Sequence, residues 1–276
     1  QTIHLTFRWT GYSETNLRRK ILNQIGTSIP SAFGASKEFI KNLGGNYIIV
    51  DHKNGTVRGT ASSRLGLQGD SAINIVPEPF EEETDNGQVF IVDHFFNFLS
   101  GSSYYGLFIN RYPKFLELLG KAGLFDNSFL SFPFLVPGES YTVLAPTDEA
   151  LIEYGADTLS KEDLASLLRY HFIKGELIFT DGKKSAGFYP TMRVDESSSG
   201  FQTIDSKINI STSPDVIQII DSKGDTYVNI NESDAGTNQL ITYDTNPASD
   251  SQWDYITTGV VHTVTKILNI DSLRVE

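Results

Sequence analysis

Hydrophobic residues recur at helical spacing in the middle of the chain. Between positions 104 and 122 they stand three or four residues apart, as in a helix that buries one face, at Leu107, Phe108, Tyr112, Phe115, Leu116, Leu118 and Leu119. Pro113 suits the first turn of a helix, so we expect a new helix to begin there. A buried strand is predicted over residues 141–145, followed by a helix that Thr147 caps. Ser160 and the acidic residues after it predict a further helix that ends at about His171.

Beyond residue 200 the pattern changes to short β-branched segments that are separated by polar turns. Such segments are typical of strands, and five are predicted, over residues 204–210, 216–220, 227–230 and 240–243 and from residue 260 onward. A group of helices followed by a run of strands predicts an α+β domain.

The first hundred residues carry weaker signals. Residues 16–25 and 36–43 are predicted as short helices, and residues 47–50 and 56–58 as the strands of a hairpin, because Asn54-Gly55 is a strong turn signal. Segment 86–96 is similar to segment 258–268, since each has a glycine followed by a β-branched strand pattern. We therefore predict two related domains that divide near residue 98, with the polar stretch 100–103 as the joint.

Composition excludes several classes of function. The chain has 22 Lys and Arg against 34 Asp and Glu, a formal net charge of −12, which disfavours binding to nucleic acid phosphates. It has no cysteine, so disulfides, thiol catalysis and cysteine-ligated zinc are excluded. No apolar run approaches the roughly 20 residues that cross a bilayer, so direct membrane insertion is not expected. Neither EF-hand spacing nor a helical histidine pair occurs, and we expect no metal and no cofactor.

Four short motifs resemble those of fasciclin (FAS1) domains. The first is TVLAPTDEAL at residues 142–151, which is similar to the family signature T-V-F-A-P-T-[DN]-x-A-[FL]. The others are LLGKAGLF at 118–125, LLRYHFIKG at 167–175 and GVVHTVTKIL at 259–268. Four motifs in the family's order over about 150 residues are a specific match. The resemblance implies a FAS1-like α+β fold, with strand-rich sheets and a cluster of short helices. Thr265 departs from the family pattern, which has Asp there.

The resemblance also implies two unequal domains in tandem. Residues 99–276 are expected to form a complete FAS1-like domain. Residues 1–98 hold only the later part of the pattern, with LGGN at 43–46 before a strand and the closing segment 86–96, and are expected to form a partial or divergent FAS1-like domain. The long polar stretch 197–251 suggests that its loops carry specificity particular to this protein.

Seven residues of these motifs are the candidate interaction residues, namely Thr142, Pro146, Thr147, Asp148, Tyr170, His171 and His262. Tyr170 and His171 lie in the segment that is proposed as adhesive in animal members of the family. The helical pattern favours a structural role, because His171 shares a face with the leucines at 164, 167 and 168. We expect its buried ring to have a polar partner in the turn at residues 147–148. His262 is likewise expected in the core, and segment 142–151 is expected to set the packing of strand on helix.

By resemblance, we predict a non-enzymatic cell-surface or secreted adhesion or interaction module, whose partners are surface proteins, matrix or glycans. The alternative is a carbohydrate-binding accessory protein of a bacterial glycan-capture system. In that case aromatic rings would stack on sugars if they share a face, the candidates being Tyr104, Tyr105, Tyr189, Trp253 and Tyr255. An enzyme is not expected, since Gly69-Asp70-Ser71 lacks the D-x-x-H partner of a GDS-type esterase.

The expected location is extracellular or at the cell surface, in a bacterial member of the family. Gln1 is not a natural first residue, which fits an outer-membrane lipoprotein whose lipid-bearing cysteine was removed with an upstream piece. A periplasmic location fits equally well. The oligomeric state stays open.

Overall fold

The structure is a computed structural model, and it describes residues 13–28, 30–31, 34–60, 73–74, 82–84, 87–98, 101–196, 203–221, 224, 226–231, 236–248 and 254–270. Two candidates from the sequence, Gly69-Asp70-Ser71 and Trp253, lie outside these residues. The described part contains five α-helices and three β-sheets. Helices and strands occur together in one unit from residue 101 onward, so the α+β prediction is confirmed.

The N-terminal unit, which comprises the described residues from 13 to 98, is a helix followed by short strands. Its elements are α1 Glu14–Leu22, β1 Lys37–Lys41, β2 Tyr47–Asp51, β3 Thr56–Arg58, β4 Ile73–Asn74, β5 Glu82–Thr84 and β6 Gly87–Val89. Strands β1 to β4 form an antiparallel sheet in chain order, and β5 pairs with β6 in a separate ladder. The first predicted helix is confirmed with a shift toward the N-terminus. The predicted hairpin of β2 and β3 is confirmed as well, and Gly55 in its turn has a φ of +64°.

The helix predicted over residues 36–43 is wrong, because β1 occupies that segment. Successive side chains of β1 point to opposite faces, and both faces are covered. Phe39 packs against Leu177 and Phe179 of the C-terminal unit, whereas Ile40 packs against Ile48 inside the N-terminal unit. When both faces of a strand are covered, adjacent residues of the strand can both be apolar. In the sequence, such adjacent apolar residues resemble the apolar positions of a helix.

The C-terminal unit, residues 101–270, contains the larger sheet and four helices. Its elements are α2 Tyr104–Arg111, α3 Pro113–Lys121, β7 Tyr141–Pro146, α4 Asp148–Tyr154, a 3₁₀ turn Ala156–Thr158, α5 Lys161–Tyr170, β8 Phe172–Lys174, β9 Gly187–Glu196, β10 Thr203–Ser213, β11 Val216–Ile220, β12 Thr226–Asn231, β13 Gln239–Asp244 and β14 Tyr255–Val264. The strand order is β12-β11-β10-β9-β8-β7-β14-β13. The neighbours are antiparallel except for β7 and β14, which run parallel.

Local capping signals set the helix starts as predicted. Pro113 is the first residue of α3. The Thr147 side chain accepts a hydrogen bond from the N–H of Ala150 over 3.2 Å at the start of α4. Ser160 accepts one from the N–H of Asp163 over 3.1 Å at the start of α5. The apolar faces of α2, α3 and α5 pack on the large sheet in one continuous core, so these caps place the helices that surround the signature motif.

The predicted equivalence of segments 86–96 and 258–268 is not found. Within the described residues, β6 covers only Gly87–Val89 and belongs to a two-stranded ladder, whereas β14 lies between β7 and β13 in the large sheet. Residue 86 itself lies outside the described part. Gly259 is inside β14 rather than in a turn before it. The glycines of the two segments therefore occupy different positions in the fold.

Candidate functional site

The signature motif ties four parts of the C-terminal unit together. Thr142 is buried on β7, and its Oγ1 donates to the carbonyl of Glu176 over 2.8 Å and accepts from the N–H of Ile178 over 2.9 Å. At the other end of β7, Pro146 is buried, and the N–H of Thr147 donates to the carbonyl of Val264 over 2.9 Å. Asp148 accepts from the N–H of Lys114 in the first turn of α3 over 3.2 Å. All of these polar groups therefore form hydrogen bonds within the fold.

Tyr170 and His171 lie at the end of α5, and both are 0% exposed. The Tyr170 hydroxyl donates to the carbonyl of Lys207 on β10 over 3.2 Å. The His171 ring lies between two backbone groups, with Nδ1 3.0 Å from the carbonyl of Leu167 and Nε2 3.3 Å from the N–H of Leu268. Because a carbonyl only accepts and an N–H only donates, Nδ1 carries the proton. The predicted burial of His171 is confirmed. The prediction that the ring has a polar partner in the turn at residues 147–148 is wrong. Both ring nitrogens bond to Leu167 and Leu268 instead, and the Asp148 carboxylate accepts from α3.

Burial sets the charge state of His171. An imidazolium ion without water around it is unfavourable, and this desolvation lowers the pKa of His171 to about 4, although the hydrogen bond to Leu167 acts in the opposite direction. The ring is therefore neutral at neutral pH, as its two backbone partners require.

His262 is the second fully buried histidine of the motifs. Its Nε2 lies 2.8 Å from the carbonyl of Ile178, and its Nδ1 accepts from the N–H of Asn238 over 3.3 Å. On the parallel ladder His262 is opposite Leu144, whose own N–H donates to the carbonyl of His171 over 2.9 Å. The structure thus gathers the two histidines on either side of β7, within the core as predicted.

This arrangement cannot perform general acid–base chemistry on an external molecule. A catalytic base must reach the proton that it abstracts, and each histidine is fully buried with both ring nitrogens bonded to backbone groups. Within the described residues, no group of three or more His, Asp or Glu side chains is placed to hold a metal ion. In the same part of the chain, no helix is long and apolar enough to span a membrane.

A cleft of about 310 Å³ opens beside the signature motif, and the sequence did not indicate it. Its lining residues are Arg111, Tyr112, Thr147, Asp148, Glu149 and Thr263. The Tyr112 hydroxyl is 2.7 Å from Oγ1 of Thr263 and accepts from Nε2 of Gln239 over 2.6 Å. Thr263 reaches Thr147 because β14 runs parallel to β7, and the carboxyl ends of adjacent parallel strands meet at one edge of a sheet. A pattern of apolar positions does not reveal such a parallel pair.

The most exposed apolar side chains of the C-terminal unit include those of one short turn, which we call the apolar turn (residues 126–131). Phe129 is 80% exposed and Leu130 is 48% exposed. Asp126 and Ser131 exchange backbone hydrogen bonds across the turn, over 2.9 and 3.2 Å, and the Asp126 carboxylate accepts from the N–H of Ser128 over 2.8 Å. Leu130 has a φ of +50°, which is uncommon for a residue with a side chain. The turn therefore presents Phe129 from a fixed backbone.

The aromatic residues that could stack on sugars do not form a row on the described surface. Tyr104, Tyr105 and Tyr189 are partly buried against the main core, and Tyr105 stacks on Phe125 with ring centroids 5.8 Å apart. Tyr255 is half-buried at the start of β14. Core packing thus accounts for the first three of these rings.

Comparison with known proteins agrees with the four motifs. The family model of the Fasciclin domain matches residues 110–270, which include the signature, both buried histidines and the cleft. The chain is also similar to a solved structure of a FAS1 domain pair from the insect cell adhesion molecule Fasciclin I, at 12% sequence identity and a TM-score of 0.37, over 85% of this chain and 72% of that one. No curated protein sequence matches. The predicted family is confirmed over more than half of the chain, which belongs to the Fasciclin domain family.

Proposed function

We propose that the chain is a cell-surface or secreted adhesion module that binds a protein partner through exposed loops, and not through Tyr170 and His171. Fasciclin domains are in general adhesion and interaction modules without enzymatic activity, and they are typically extracellular or secreted. The observation that carries the proposal is the complete burial of Tyr170 and His171, whose polar groups bond to the backbone of the same fold. A partner could reach them only if the core opened.

The apolar turn is the best-placed contact surface among the described loops. A large aromatic side chain on a fixed backbone loses little conformational freedom on binding, and such residues act as anchors in protein interfaces. Phe129 has this position, at 80% exposure. We therefore assign the partner an apolar pocket that receives Phe129.

A bead-adhesion assay tests the function. Beads coated with the chain are added to immobilised extract from the surface of the source cells, after treatment of the extract with protease or with periodate, which cleaves sugar diols. We expect retention that protease abolishes and periodate leaves intact. Periodate-sensitive retention, with binding on a glycan array, would instead establish the glycan-capture alternative. No retention on any extract would overturn both.

A pair of variants tests the contact surface. Phe129→Ala removes the proposed anchor, and Ile152→Ala is its matched control, since Ile152 is 66% exposed on α4. We expect Phe129→Ala to reduce retention at least tenfold, about 1.4 kcal/mol, and Ile152→Ala to leave it unchanged. Equal retention by both variants would exclude the apolar turn.

The proposal includes a bacterial source and a location outside the cytoplasm, either at the cell surface as an outer-membrane lipoprotein or in the periplasm. Protease treatment of intact source cells distinguishes the forms, because a surface lipoprotein is degraded and a periplasmic protein is protected.

We also propose that residues 1–98 form a partial or divergent FAS1-like domain. Superposition of an experimental structure of residues 1–98 on residues 99–276 would test this assignment.

A further inference from the structure

The cleft beside the signature motif is lined by polar residues. It opens between the turn from α2 to α3, the start of α4 and the end of β14, and its volume is about 310 Å³. Every residue of its lining has a charged group or a hydroxyl group. Sites for small molecules begin at about 300 Å³, so the cleft has room for one small polar molecule.

The hydroxyl groups of the cleft are held by hydrogen bonds of the fold. The Gln239 amide donates from Nε2 to the carbonyl of Gly236 and also to the Tyr112 hydroxyl, the latter over 2.6 Å. Because a carbonyl only accepts, the contact with Gly236 fixes the orientation of the amide. The Tyr112 hydroxyl lies 2.7 Å from Oγ1 of Thr263. These groups are therefore in place before a ligand binds, as in most small-molecule sites.

The positive charge of the cleft belongs to Arg111. This residue is the last one of α2, and it is exposed. No residue of the described part of the chain forms an ion pair or a hydrogen bond with its guanidinium group. A guanidinium group can present two parallel N–H donors to one carboxylate. Arg111 therefore offers the cleft a complete site for a carboxylate group.

Two carboxylates line the cleft at the start of α4. Oδ1 of Asp148 accepts from the N–H of Lys114 over 3.2 Å, whereas its other oxygen has no partner among the described residues. The exposed Glu149 has no partner there for either oxygen. The Lys114 ammonium does not neutralise them, since it pairs with Asp157 over 2.8 Å and with Glu117 over 3.1 Å. The lining thus has one positive and two negative charges that do not pair with each other.

This charge pattern favours a ligand that carries both signs of charge. An inorganic anion would be repelled by the two carboxylates, and a metal ion would be repelled by Arg111. A sugar would lack an aromatic face on which to stack, because Tyr112, the one aromatic residue among the described lining, is only 3% exposed. A zwitterion satisfies both kinds of group. Since one positive and two negative charges leave −1, the pattern selects a zwitterion with one additional positive charge.

We propose that the cleft binds a free amino acid with a basic side chain, such as lysine. Arg111 binds the α-carboxylate through its two N–H donors, and Asp148 and Glu149 bind the α-ammonium and side-chain ammonium groups. The hydroxyl groups of Thr147 and Thr263 add hydrogen bonds to the polar end of the ligand. The inference does not rest on the adhesive function, because none of these residues belongs to the apolar turn.

An NMR titration of the isotope-labelled whole chain tests the class of ligand. L-lysine is compared with two molecules that each lack one of its charged groups: norleucine has no side-chain ammonium, and 1,5-diaminopentane has no carboxylate. We expect L-lysine to cause saturable shifts of the amide signals of residues 111–112 and 147–149, and each of the other two to bind at least about tenfold more weakly. The proposal is overturned if L-lysine causes no saturable shifts. It is overturned as well if norleucine or the diamine binds equally.

Four variants test the residues that bind the ligand. Arg111→Gln and Glu149→Gln each remove one charge from the cleft. Their matched controls are Arg18→Gln on α1 and Glu153→Gln on α4, which make the same changes at exposed positions outside the lining. We expect each cleft variant to weaken L-lysine binding at least about tenfold and each control to leave it unchanged, with thermal melts to compare the folding of all four. Equal binding by a cleft variant and its control would overturn the proposal, since net charge alone would then determine the affinity.

Discussion

The backbone N–H of Leu268 donates a hydrogen bond to Nε2 of His171, over 3.3 Å and across 97 residues. With Nδ1 on the carbonyl of Leu167, the ring links the last turn of α5 to the segment that follows β14. His171 thus joins the helical layer to the segment that follows β14. Its role in the fold accounts for its place in the motif without any ligand.

Replacement of His171 tests this role. His171→Ala removes a buried ring and leaves the N–H of Leu268 and the carbonyl of Leu167 without their partner, so we expect a loss of about 1–3 kcal/mol in the free energy of unfolding. Urea denaturation measures it, with the exposed Ile152→Ala as a control that is expected to stay within about 0.5 kcal/mol. Bead retention by the folded fraction should not change. Unchanged stability with lost retention would make residues 170–171 the adhesive site.

The stability of the protein should also depend on pH through His171. Its pKa is about 4 in the folded chain, against an ordinary value of 6.5, so the unfolded state binds the proton more tightly. Stability therefore rises with pH between these values and is lost as the pH falls through them. His171→Gln keeps a donor and an acceptor but does not titrate. From pH about 7 to about 4.5, we expect the natural chain to lose roughly 2–3 kcal/mol more than this variant. Equal losses would contradict the lowered pKa.

The parts of the fold that short-range chemistry determines were predictable from the sequence. Thr147 and Ser160 cap helices through N–H groups three residues away, and Pro113 begins α3 at the only place in a helix that suits it. The burial of His171 and His262 followed from their spacing to apolar neighbours. Helix caps and apolar spacing depend only on a few adjacent residues. The structure therefore has these helix starts and these buried histidines at the predicted positions.

The features that depend on distant partners were not predictable. Nothing near residue 39 indicates that Phe179 will cover it, so β1 resembled a helix. The partner of His171 is Leu268 because the segment that follows β14 passes beside the end of α5, and the cleft forms because Thr263 and Tyr112 meet across 151 positions of the chain. The sequence pattern also did not predict β9, which is held between β8 and β10 by pairing. Each case requires the path of the chain, which periodicity alone does not contain.

Gly259 offers a test of close packing inside β14. A Cβ atom there would lie 2.5 Å from the Tyr104 hydroxyl and 2.7 Å from Cβ of Ile241, its partner on β13. Gly259→Ala should therefore cost about 1–3 kcal/mol through overpacking. The control is Gly187→Ala at the start of β9, where nothing lies within 4 Å of the added atom. Thermal melts compare the two, and equal midpoints would contradict the close approach at Gly259.

The contact of Phe39 with Phe179 predicts a measurable coupling between the two units. Both rings are buried, so each of Phe39→Ala and Phe179→Ala should lower the free energy of unfolding by about 3–5 kcal/mol. Because the rings stack on each other, the double variant should lose less than the sum, by about 0.5–1.5 kcal/mol for the pair. Phe129→Ala is the control, since Phe129 is 80% exposed on the apolar turn, and combined with Phe39→Ala its effect should simply add. Urea denaturation of the five variants gives both cycles. Additive losses for Phe39 and Phe179 would contradict direct stacking between these two rings.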